Sequence, residues 1–348
     1  MTSSDEYLLI KAAFKQPVER TPVWVMRQAG RYLAEYREVR DKAGSFLSLC
    51  YNPELAAEVS VQPLDIIGVD AVIMFSDILT PLVGMGVELD FMPGPVLANP
   101  IKNQRDIDHL HPLIPEKSTS YVGEILRLIR QQISGRAPVI GFAGAPFTLA
   151  CYMIEGGNSK LFSKTIKFFF NEQKLAHQLM EKLTTMTIEY LNYQIENGAQ
   201  MVQLFDTWAG ILSPDDYKSF VFPYVSRIFE SLNGTGVVPK VYYINGSNHL
   251  LEIMSGTGAD VIGLDWKCDI QTVKQQIGHK VALQGNLDPN VLFCNPEIIK
   301  EKVLEILTKF GSESGHIFNL GHGIDKNVNP EHLKEMVKAV KENSKRDC

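Results

Sequence analysis

Cysteine is scarce in this chain of 348 residues: Cys50, Cys151, Cys268, Cys294 and Cys348 are an odd five, widely scattered, with no CxxC pair. That usage excludes a disulfide framework and a structural zinc site, and it suits a reducing compartment. Long hydrophobic runs are missing too, none approaching the ~20 residues that a membrane-spanning helix needs. Positive charge is not in excess, since 34 Lys and Arg stand against 40 Asp and Glu for a net charge of -6. A nucleic-acid partner is therefore not expected, because phosphate binding normally leaves a basic footprint. The opening MTSSDEYLLIKAAFKQ has acids and no basic region before a long apolar core, so neither a secretory signal nor a transit peptide is expected, and the cytoplasm is the expected location. GxSxG, HExxH, GxxxxGK[ST] and GxGxxG are all absent, and no HxH pair stands on the first strand, which argues against a two-metal hydrolase.

What is present is a rhythm. Eight short apolar, β-rich runs occur at 23–27, 70–77, 139–145, 201–207, 240–245, 261–266, 281–286 and 316–321, most of them apolar on consecutive positions, as when both faces of a parallel strand are covered. Helical patterns separate them. NPELAAEV from Asn52, SPDDYKSF from Ser213, NPEIIKEKVLEIL from Asn295 and NPEHLKEMVKAVK from Asn329 each show a capping residue, a proline at the first helical position and an acid in the first turn. Residues 164–197 read as one long helical stretch and 271–277 as a short helix. Eight alternating units without an internal linker predict an α/β protein, a single (β/α)8 TIM barrel over residues 1–348, with a short helical extension at about 5–20. The competing architecture, an open doubly wound sheet, wants a glycine-rich first turn where this sequence has Arg-Gln-Ala-Gly.

In such a barrel the active-site cleft lies at the C-terminal ends of the strands. The residues closing the runs are Arg27, Asp77, Ala145 before Pro146, Asp206 with Thr207, Asn245, Asp265, Gln284 with Asn286, and His322, so seven of eight ends are polar. Arg27 and Arg31 would share one face if the chain is helical from Ala29, and Arg40 can reach in from the same connection. Guanidinium forks suit carboxylate or phosphate. Arg37 is expected only to pair with Glu35 and Glu38. Asp77, at the tip of AVIMFSD, either bridges to Arg27 or faces an N–H-rich part of a ligand. His322 lies between Gly321 and Gly323, which permit close backbone approach. Pro146 starts a helix whose free N–H groups would face the mouth, with Tyr152 about two turns in. Lys240 sits at the wrong end of its strand and Lys267 falls between Asp265 and Asp269, so a Schiff-base lysine has little support.

PVWVMRQAGRYL, FSDIL, GFAGAPFTL with YMIEGG, LFDTWAG, GLDW, QGNLDP and NLGHG together resemble the uroporphyrinogen decarboxylase family from about residue 6 to about 340. The resemblance implies a homodimer of barrels that removes carbon dioxide from the four acetate side chains of uroporphyrinogen III, giving coproporphyrinogen III, with no metal or organic cofactor. It carries substrate binding to Arg27, Gln28, Ala29, Gly30, Arg31, Arg40, Asp77, Tyr152, Thr207 and His322, and catalysis to Asp77 and Arg27. Ala34 departs from the family's proline after RYL, which affects only the start of the following helix. Two other readings stand beside this one. A corrinoid-linked methyltransferase of the same superfamily would need zinc ligands where Tyr243, Asn245 and His322 stand, and a non-catalytic tetrapyrrole-binding protein would show the same arginines and carboxylate.

Overall fold

The computed structural model describes residues 7–92 and 94–346. Seven parallel strands form one sheet: β1 (Val72–Ile73), β4 (Val139–Gly144), β5 (Met201–Phe205), β6 (Lys240–Tyr243), β7 (Val261–Gly263), β8 (Ala282–Gln284) and β9 (His316–Ile317), neighbours in that order. Nearly every residue on them is buried, which is why their sequences run apolar on both faces rather than alternating. A separate antiparallel hairpin, β2 (Leu89–Phe91) and β3 (Pro95–Leu97), interrupts the βα rhythm after β1. One apolar cluster runs from Leu9 to Val340 through the sheet and the helices around it. No helix among the described residues is long and apolar enough to cross a membrane.

The first expected strand departs from expectation. Only Val23 forms a ladder bridge, parallel to Phe318, and the chain leaves the strand before Arg27. Side chains replace the missing ladder. The Asp70 carboxylate accepts from Val23 N at 2.9 Å, and the Asn319 side-chain carbonyl accepts from Met26 N at 3.0 Å. Gln28 accepts from Val25 N at 3.1 Å and donates to the Ala71 carbonyl at 2.9 Å, joining this segment to the chain leading into β1. Main-chain bonds complete both flanks: Phe318 N donates to Pro22 O at 2.8 Å and Asp70 N donates to Val23 O at 2.8 Å. The same Asp70 accepts both arms of the Arg20 guanidinium at 2.7 Å and the Lys341 ammonium at 3.1 Å, fastening the N-terminal segment and the last helix beneath the sheet.

All four proline-marked helices start as expected: Pro53–Ile66, Pro214–Phe220, Pro296–Phe310 and Pro330–Asn343, with Asn52, Ser213, Asn295 and Asn329 as side-chain caps. Each cap accepts from one of the N–H groups that a helix start leaves free. The short helix is Ile270–Ile277. The long one is two, Ser163–Asn171 and Gln173–Glu196, broken at Glu172, and Phe169 on the first piece packs edge-on to Phe147 at 5.2 Å and Phe220 at 5.3 Å. Ahead of the first strand the helix is Leu8–Ala13; residues 5 and 6 of the expected extension lie outside the described residues.

Candidate active site

Arg27 leaves the first strand in the left-handed region, at φ 64, a conformation that costs energy for any residue with a Cβ and that clusters at functional turns. The helix expected from Ala29 begins only at Ala34, and residues between are turns. Arg27 and Arg31 therefore do not share a helical face. The turn is braced instead by Tyr32, whose hydroxyl donates to Gln28 O at 2.8 Å, and by Arg37, which donates to Arg31 O at 2.7 Å rather than pairing with Glu35 or Glu38. Ala34 is the first helical residue, the position where proline would also fit. The N–H groups of Ala29, Gly30 and Arg31 make no hydrogen bond within the described chain, so the turn presents bare donors beside the guanidinium groups.

Arg27, Arg31 and Arg40 form no ion pair among the described residues. The Arg27 side chain lies along the His322 loop: a Cβ on Gly323 would sit 2.3 Å from its Cδ. Asp77 follows β1, half-buried, and its Oδ1 accepts from Leu79 N at 2.9 Å while Oδ2 has no protein donor. Burial pushes its carboxyl above the ordinary value, opposed by the Leu79 N–H and by Arg27. Burial raises the Tyr152 phenol, opposed by Trp208, and the charges of Asp77 and Arg27 act on it with opposite signs. Asp77 and Arg40 both act on Cys50, so Arg27 and Arg40 lie on the side of this carboxylate, while Arg31 and Arg40 both act on Tyr36.

His322 is held by Tyr243. The Tyr243 hydroxyl donates to Gly321 O at 2.8 Å, and with its proton so placed its oxygen accepts from His322 Nδ1 at 3.2 Å, which leaves Nε2 as a bare acceptor. Burial, with Arg27 second, lowers this imidazole to about 4, so it is neutral near pH 7. Thr207, half-buried after β5, has its hydroxyl free of protein partners.

Three of the seven polar strand ends have other work. Asp206, fully buried, accepts from Thr148 N at 3.2 Å, the Thr148 hydroxyl at 2.8 Å and the Tyr242 hydroxyl at 2.8 Å. It thereby caps the helix Pro146–Glu155, whose expected free N–H groups are not all free. Asp265 accepts from Gly246 N, Ser247 N and Lys267 N, and Asn286 donates to Asp265 O and Cys268 O. Gln284 accepts from the Trp24 indole at 2.9 Å and donates to Gln203 at 3.1 Å inside the core. Gln28 belongs with these: its side chain is committed to the first strand, its N–H donates to Val25 O at 3.0 Å and its carbonyl accepts from the Tyr32 hydroxyl, so it shapes the turn. Cys151 is fully buried with its thiol raised by burial, a packed residue. Apolar strand ends escaped the sequence reading: Phe205, half-buried at the tip of β5, meets Phe142 at 5.8 Å and Tyr243 at 6.1 Å, and Ile78 follows Asp77.

Parallel strands wrapped by helices, with arginines, a carboxylate and a neutral histidine converging where the strands end, define an α/β enzyme for a small acidic ligand. Residues 4–343 match the family model described as uroporphyrinogen decarboxylase (URO-D). The uroporphyrinogen decarboxylase of Trichlorobacter lovleyi is 47% identical over 337 residues, covering 97% of this chain and 98% of that one, and the enzyme of Methylococcus capsulatus is 48% identical over 340 residues, covering 97% of each. The chain belongs to the uroporphyrinogen decarboxylase family. Among solved structures, a methyltransferase from Methanosarcina mazei aligns with a TM-score of 0.81 at 22% identity, covering 96% of this chain and 97% of that one. A B12-independent methionine synthase from Shewanella aligns at 0.56 and 12% identity, covering 94% and 95%. These two likenesses concern the fold alone. Among the described residues, no three His, Cys, Asp or Glu side chains gather as a ligand set, and Tyr243 and Asn245 stand where the methyltransferase reading needs thiolate or imidazole.

Proposed function

We propose that this chain decarboxylates the four acetate side chains of uroporphyrinogen III to methyl groups, giving coproporphyrinogen III, with the substrate's own pyrrole as electron sink. The observation that carries the reading is the Asp77 carboxylate, half-buried, with one oxygen unpartnered and with Arg27 and Arg40 on its side, arginines that form no ion pair among the described residues. A ligand acidic at its edge and rich in N–H at its centre complements that arrangement.

Protonating a pyrrole carbon makes the ring a cation. The bond from the acetate methylene to its carboxylate then breaks, carbon dioxide leaves, and the bonding pair neutralises the ring. A second proton at the methylene gives the methyl group as the ring carbon returns its own, so each turn consumes one proton and one carboxylate. Asp77 accepts the pyrrole N–H bonds and steadies the cation, an interaction that strengthens as charge develops. Arg27, Arg31, Arg40 and the Ala29–Gly30 N–H groups hold side-chain carboxylates, Gln28 fixes the turn that presents them, and Tyr152, Thr207 and the His322 Nε2 complete the polar contacts. Phe205, Phe142 and Ile78 give the macrocycle an apolar face.

The same proposal takes the segment 22–26 as the eighth member of the ring, since it bonds to both edges of the seven-stranded sheet, and so reads the chain as one (β/α)8 domain. It takes the assembly as a homodimer in the cytoplasm. Light scattering at twice the chain mass supports the dimer, and a monomer rejects it. The test of function is incubation of the purified chain with uroporphyrinogen III under reducing, oxygen-free conditions without added cofactor. Sequential loss of four carboxylates by chromatography is expected; unchanged substrate retained by the protein would favour the non-catalytic binding protein.

A further inference from the structure

Beyond the three arginines, the strand ends carry another cation that forms no ion pair among the described residues. Lys267 follows β7 by four residues, and its main chain is fixed because Asp265 accepts from Lys267 N at 2.8 Å. It is exposed, and its ammonium lies over the Trp266 ring, 5.1 Å from the centroid. Trp266 in turn stacks on His322 at 6.5 Å and 27°. The two loops touch: a Cβ on Gly321 would meet Trp266 N at 2.3 Å, just as one on Gly323 would meet the Arg27 side chain. Arg27, His322, Trp266 and Lys267 therefore form one continuous line along the mouth. Both cations act on the imidazole between them.

Two acids flank Lys267 within two positions, and both are occupied elsewhere. Asp265 is filled by three main-chain N–H groups, and Asp269 accepts from Lys309 at 2.7 Å and from Thr272. The next two lysines along the chain are paired, Lys274 with Glu313 and Lys280 with Glu252. Lys267 makes no ion pair among the described residues.

We propose that Lys267 binds a side-chain carboxylate of the tetrapyrrole, beyond His322 from Arg27, so that the substrate's acidic edge is held from two sides. The proposal rests on the decarboxylase reading. An exposed lysine that meets a flexible carboxylate contributes binding common to ground and transition states, which appears in KM rather than kcat. Its attraction is also screened by salt.

Steady-state decarboxylation of uroporphyrinogen III, compared for the wild type, Lys267→Met and Lys267→Arg at low ionic strength, tests it. Lys267→Met is expected to raise KM about fivefold with kcat within about twofold, and Lys267→Arg to restore KM to within about twofold. The gap should shrink at about 0.5 M salt. An unchanged KM in Lys267→Met, a loss in kcat alone, or a loss that arginine fails to restore would overturn the assignment while leaving the decarboxylase reading intact. An inactive wild type would overturn both.

Discussion

At the scale of single residues, polar strand ends look alike in sequence and differ in what they meet. Arg27, Asp77 and His322 keep an atom free for a ligand, whereas Asp206, Asp265, Gln284 and Asn286 are committed to distant partners. Those partners lie on other elements, so local pattern could not separate the two groups. Phe205 and Ile78 were missed for the opposite reason, because an apolar strand end reads as core. Asp206 makes a testable case. Burial, offset by its Thr148 and Tyr242 bonds, lifts its carboxyl from 3.8 to about 6. A carboxyl that binds its proton more tightly when folded contributes stability fully below its unfolded pKa, and that contribution is lost as pH rises through the folded value. Denaturant midpoints of the wild type and Asp206→Asn, which lacks the titration, should therefore diverge with pH. The wild type loses about 1 kcal/mol relative to the variant between about pH 5 and pH 7.5. A difference independent of pH would contradict the assignment.

At the scale of elements, the four helices opened by Asn-Pro or Ser-Pro were legible because a cap and a first-turn proline act within three residues. The first strand was legible in position but not in length, since its ladder is replaced by Gln28, Asn319 and Asp70 side chains, and Asn319 is 293 positions from the N–H it binds. The break at Glu172 was invisible in a pattern that stays helical on both sides. The loop 321–323 offers a test of how closely elements approach. In Gly323→Ala the three atoms nearest the new Cβ all belong to the flexible Arg27 side chain, and the backbone there is not left-handed. Arg27 must swing out while the fold stands. The expected result is a loss of kcat/KM of about tenfold or more with a melting temperature within about 2 °C of wild type. Gly321→Ala instead confronts the Trp266 main chain, which cannot yield, and should lower the melting temperature.

At the scale of the whole molecule, one carboxylate at the base joins three parts of the chain. Asp70 binds Arg20, Lys341 and Val23 N, and its side chain is 11% exposed. Removing it strands two cations and one main-chain donor where the first strand meets β1. Asp70→Ala should cost about 3 kcal/mol in denaturant unfolding, and a loss under about 1 kcal/mol would show that the sheet is closed by packing alone. The opposite end carries the chemistry, and there the central claim is that a negative charge beneath the macrocycle steadies the cation formed as carbon dioxide leaves. Turnover of uroporphyrinogen III by Asp77→Asn tests it most directly, because asparagine keeps the carbonyl that accepts from Leu79 N while it removes the charge and turns the free acceptor oxygen into a donor. The account predicts a fall in kcat of about a hundredfold or more with folding intact; turnover within a few-fold of wild type would contradict it.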